Sequence, residues 1–142
     1  MDHDERERLL DLPLIRRDAI PIAPHSGQHN AHLFMRDSRI SGDVTYPIRI
    51  DTFVCSQNGE IIEFGYRHLG IHYFVKFSRR DPDNSGLVSY RGNVFKLVNS
   101  SSHFVAICWC DSFQLGNEVY LTGHWYEGEI YCHWLLELYG TE

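Results

Sequence analysis

The sequence predicts an α+β domain, an antiparallel sheet or small barrel with a cysteine-bearing helix at its C-terminal end. Three observations predict it. From Tyr46 onward, short runs rich in β-branched and aromatic residues alternate with turn signals, the pattern of successive strands. The run Tyr131-Cys132-His133-Trp134-Leu135-Leu136-Glu137-Leu138-Tyr139-Gly140 is apolar, contiguous and closed by glycine, as a capped helix is. Residues 1–12 read as a second, charged helix with Leu9, Leu10 and Leu12 on its apolar side. Helices at the two ends with strands between them make an α+β plan.

Taken in order, Pro13, Pro21 and Pro24 interrupt regular structure after the first helix. Ser26 to Ser41 is polar, with little periodicity beyond Leu33-Phe34-Met35. His25, His29 and His32 in this stretch are either a weak metal site or a solvated loop. Residues 1–45 are read as an N-terminal extension or arm, and residues 46–142 as the domain. Ile48 to Val54 alternates as a strand, and Asn58-Gly59 marks a hairpin turn. Ile61 to Phe64 and Leu69 to Phe77 follow as strands, and Arg79 to Gly86 is a longer turn. Leu87 to Tyr90, Val94 to Val98, Phe104 to Trp109 and Val119 to Leu121 complete the strands.

Composition bounds the class. With 142 residues, 43% of them hydrophobic, the chain can bury a core of its own. A formal charge of −6 argues against general polyanion binding, although a local cluster can override the global sign. No apolar run reaches the roughly 18 residues that span a bilayer. The N-terminus, Met1-Asp2-His3-Asp4-Glu5-Arg6-Glu7-Arg8, shows no signal-peptide core, so the four cysteines Cys55, Cys108, Cys110 and Cys132 are read as reduced thiols of a cytoplasmic protein.

Two residues suggest thiol chemistry. Cys132 at a helix N-terminus would feel the positive end of the helix dipole, which favours thiolate. His68, at the head of an apolar strand, could serve as its base. His72, four residues on and expected on the same strand face, either orients that base or is a hydrogen-bonded core residue. Cys108 and Cys110 should face one side of a strand. With His124 and Cys132 or His133 they could form a tetrahedral zinc site, or simply be core thiols. Between Arg67 and Lys96 there are six basic residues, Arg67, Lys76, Arg79, Arg80, Arg91 and Lys96, against Asp81 and Asp83. Tyr73, Phe77, Tyr90 and Phe95 interleave with them, which suits either single-stranded RNA or a solvated face over a core. Trp125, Tyr126 and Trp134 either wall the cysteine cleft, offer a partner surface, or pack the core.

The segment Glu60-Ile61-Ile62-Glu63-Phe64-Gly65-Tyr66-Arg67-His68-Leu69-Gly70-Ile71-His72-Tyr73 resembles the H-box of the lecithin:retinol acyltransferase and HRAS-like suppressor family. Cys132-His133-Trp134 with Leu138-Tyr139-Gly140 is similar to that family's cysteine helix, and the order histidine then cysteine matches its permuted papain-like (NlpC-type) core. Picornavirus 2A proteins of the H-box/NC type carry a version of this domain. Tyr131 stands where the family has asparagine, and His133 follows Cys132 directly. Arg80 stands where the cellular enzymes place a second polar residue.

The resemblance implies a viral non-structural protein in the host cytoplasm. It would act through host proteins, membrane lipids or RNA rather than as a protease, with membrane association left open. The alternative is a working thiol acyltransferase or phospholipase using Cys132 and His68, and a second alternative is an RNA-binding module. None of these requires a cofactor or metal. A homodimer formed by exchange of the arm or a strand is compatible with each.

Overall fold

The computed structural model describes residues 19–37, 46–80 and 88–141, and among them there is no helix. Nine strands follow one another: β1 (Ile20–Pro21), β2 (Gly27–Asp37), β3 (Tyr46–Ser56), β4 (Ile61–His68), β5 (Ile71–Arg79), β6 (Val88–Val98), β7 (Ser101–Leu115), β8 (Glu118–Glu127) and β9 (Ile130–Thr141). From β2 to β9 each strand pairs antiparallel with the next, and β9 pairs back with β2. The result is a closed up-and-down barrel of eight strands, with β1 as a short addition beside β7. Closure leaves the barrel without the open edges of a flat sheet.

This overturns the α+β expectation and with it the permuted papain-like core. The C-terminal run is β9, in register with β2 from Asp37↔Cys132 to His29↔Thr141 and with β8 from Glu127↔Ile130 to Val119↔Leu138. The reason is burial on both faces. Cys132, Trp134, Leu136 and Leu138 belong to the interior cluster. Leu135, on the opposite face, packs with Phe113 and Tyr120 in a second cluster outside the barrel, against Ala19 and Leu115. A strand covered on both sides loses its polar alternation and reads as a continuous apolar run. The helix expected at residues 1–12 lies outside the described residues. Within residues 1–45, β2 is a full barrel strand between β3 and β9.

The turns follow backbone chemistry. At Gln57–Glu60 the chain reverses with Gln57, Asn58 and Gly59 all at positive φ, where the Asn-Gly signal lies. Leu69-Gly70 and Asn99-Ser100 are two-residue connections with both residues at positive φ, the geometry that matches strand twist. An eight-stranded barrel leaves an interior that side chains can just fill. Here Trp134, Tyr66, Tyr73, Tyr90, Phe53 and Phe77 are its largest fully buried occupants. Two glycines allow the close strand approaches of such a barrel. A Cβ on Gly92 would sit 1.8 Å from the Lys76 carbonyl oxygen, and one on Gly123 2.4 Å from that of Trp109.

Candidate nucleic-acid interface

The sequence-predicted thiol site is divided among different parts of the barrel wall. Cys132 lies near the start of β9 and is 2% exposed, and His68 ends β4 and is 5% exposed. Strands β2 and β3 stand between them in the sheet order. Among the described residues no helix N-terminus adjoins Cys132, which sits within strand β9, so the dipole argument for its thiolate does not apply there. His72 does not share the face of His68, because the Leu69-Gly70 turn separates them and reverses the chain. Its Nε2 instead lies 2.9 Å from Asp51 Oδ2, and its ring packs at 4.4 Å from that of Phe74.

The four cysteines are buried and unbridged. Cys108 and Cys110 do face the same way, into the barrel. Burial pushes the Cys108 thiol up to about 12, with the Trp134 indole and the His124 backbone acting weakly against it and Cys132 adding to it. Burial raises Cys110 too, with Cys108 and Asp111 adding to the shift, and it raises Cys55. These are thiols held neutral, the opposite of what a nucleophile needs. His124 is exposed and meets His133 edge-on and Tyr131 at a tilt on the outer side, so the zinc set Cys108, Cys110, His124 with Cys132 or His133 does not converge. Among the described residues no group of three or more histidine, cysteine or acidic side chains is placed to hold a metal.

The basic residues separate into two groups. Lys76, Arg80 and Arg91 line one open hollow on the outer side of β5 and β6, with Ser78, Asn93 and Phe95, while Arg79 at its edge pairs with buried Tyr90 and falls on the inward face two residues after Phe77. Arg67 stays apart on β4, 3.9 Å from Asp51. Lys96 turns toward the barrel mouth, where its Nζ lies 2.7 Å from Glu127 Oε1 and Tyr73 donates to the other carboxylate oxygen at 3.4 Å. Strand alternation from Val94 explains it, since Lys96 falls on the inward face two residues on.

Beside the cationic hollow lies a second, apolar one, formed by Phe104, Ile107, Trp109, His124 and Tyr126 on β7 and β8. Phe104 and Tyr126 are each 59% exposed and Trp109 42%. The strand register makes the two hollows continuous: Arg91 pairs with Trp109, and Trp109 with His124. The next row runs from Lys76 through Asn93 and Ile107. The Arg91 guanidinium lies 5.7 Å from the Trp109 ring centroid and joins charge to ring. Phe95 meets Phe104 edge-on at 6.1 Å, beside the bulge between Val94 and Phe95.

Trp109, Phe104 and Ile107 were not among the sequence-predicted binding residues, whereas Tyr126 was, as a candidate partner surface. A signal for Trp109 was present: if Cys108 and Cys110 face inward, the residue between them faces out. The class that fold and site define is a small closed antiparallel barrel with an aromatic, cationic outer face. No family model, curated protein or solved structure matches the chain.

Proposed function

We propose that the protein binds single-stranded RNA on the outer face of β5–β8. The observation that carries this reading is the juxtaposition of three cations, Lys76, Arg80 and Arg91, in one hollow with exposed Trp109, Phe104 and Tyr126 in the next. A soluble protein exposes isolated large apolar side chains routinely, but a contiguous patch of them marks a contact surface. Stacked bases cover such rings at about 1–3 kcal/mol per base, and flanking cations hold the phosphates. The −6 net charge is no obstacle, because binding depends on the local field. Lys76 has Glu63 Oε1 at 3.5 Å, but both side chains are more than half exposed, so that pair is weak and exchangeable for phosphate.

This reading keeps the RNA contacts of the viral-protein expectation and sets its thiol site aside. The acyltransferase alternative finds no support in a buried strand cysteine.

Fluorescence anisotropy with a short labelled RNA tests it. Single-stranded RNA should bind with a log–log salt slope of about −2, which is roughly 0.7 for each of three phosphates contacted. Duplex RNA should bind more weakly, since its bases are not free to stack. Salt-independent binding, or none, removes the proposal.

A further inference from the structure

The cationic hollow carries more charge than a passing single strand requires. Successive phosphates of a single strand bring one charge per nucleotide, spread along its length. Here Lys76, Arg80 and Arg91 border one hollow of about 600 Å³, with Ser78 and Asn93 as neutral donors, and Glu63, 3.5 Å from Lys76, is an exposed and exchangeable neighbour. Arginine forks match phosphate oxygens in pairs, and two of the three cations are arginines. Such a hollow suits several phosphates attached to one another.

The adjoining apolar hollow begins on β7, the strand next to β6, roughly 5 Å from β6 and 10 Å from β5 at the usual strand spacing. One nucleotide with its base turned outward covers that span. Arg91, lying beside the Trp109 ring, sits where the phosphates would give way to the base.

We propose that this face recognises the 5′-triphosphate end of single-stranded RNA, with the polyphosphate among Lys76, Arg80 and Arg91 and the first base on Trp109. The inference rests on the RNA reading and adds which part of the RNA is bound. A 5′ end offers one polyphosphate and one base with no upstream neighbour, which is what two adjoining hollows of opposite character can hold together.

The test compares two RNAs of identical sequence, one bearing a 5′-triphosphate and one a 5′-hydroxyl, on the full chain by anisotropy and by Trp fluorescence quenching. The triphosphate should tighten binding about tenfold or more, as several charge-assisted hydrogen bonds would. Arg80→Ala and Arg91→Ala should each erode that preference, and Trp109→Ala should weaken both RNAs. Arg80 is exposed, so its variant keeps the fold, and circular dichroism confirms it. Equal affinity for the two RNAs overturns the end-recognition inference and leaves the RNA reading standing. Binding of neither overturns both. Competition by GTP as effective as by the triphosphorylated RNA also overturns it, in favour of a mononucleotide site.

Discussion

The interior of the barrel and the outer face of β5–β8 use the same kinds of residue under opposite conditions. Trp134 is fully buried among Phe64, Phe77 and Trp125, with ring centroids 5.7 to 6.1 Å away. Trp109, on β7 beyond the intervening β8, is 42% exposed beside Arg91. One holds the barrel together, while the other gains little from folding and is placed where a ligand can cover it. The cations divide in the same way. Lys96 is committed to Glu127 at the barrel mouth, whereas Lys76, Arg80 and Arg91 share an open hollow. Chemically suggestive residues are therefore informative only once their side of the wall is known.

The sharpest way to break this comparison is at the wall itself. Gly92→Ala places a Cβ against the backbone of Lys76, which no side-chain rotation relieves. It should cost more than about 4 kcal/mol and leave little folded protein in thermal melts. Gly116→Ala, in a turn with open space around it but φ of +64, should cost only about 1–2 kcal/mol. Comparable losses at both positions would show that strand approach at Gly92 is not a constraint.

The two tryptophans give the next contrast. Trp134→Ala should lower stability by about 3–5 kcal/mol in urea titrations. Trp109→Ala should change stability by under about 1 kcal/mol while weakening RNA binding by about 1–3 kcal/mol. A Trp109 variant that loses stability and keeps RNA affinity would make this residue part of the core.

The interior thiols predict an alkaline loss of stability. The Cys108 thiol is raised from its ordinary 9.0 to about 12 in the folded state, and Cys110 is raised in the same direction. Above the ordinary value the unfolded chain releases these protons while the native barrel keeps them. Stability is thus fully present below pH 9 and falls as pH rises from there through about 12. Denaturant midpoints across that range should decline, and less steeply in Cys108→Ala. A flat profile in the wild type would mean that the thiols ionise in place.

The smallest effect concerns Cys132. As a buried strand residue it should react with iodoacetamide only on unfolding, at the same slow native rate in wild type and His68→Ala. RNA affinity should be unchanged in Cys132→Ala. Rapid native alkylation that depends on His68 would restore the thiol-site reading.

By itself the sequence determined the strand-forming runs from Ile48 onward, the turn around Asn58-Gly59, the shared face of Cys108 and Cys110, and the interleaving of cations with aromatics between Arg67 and Lys96. These follow from local rules: period-two alternation, turn backbone angles and composition. Only the tertiary structure decided that residues 131–140 form a strand, because the signal that separates strand from helix there is a polar face, and Leu135 lost it to the outer cluster of Phe113 and Tyr120. It also decided that His68 and His72 face opposite ways, since a two-residue turn resets the alternation between them. The candidate site, finally, belongs to the register: Arg91 meets Trp109, and Trp109 meets His124, only because the barrel sets β6, β7 and β8 side by side. Sequence spacing cannot fix that register, because cross-strand neighbours are chosen by closure of the whole sheet rather than by any one strand.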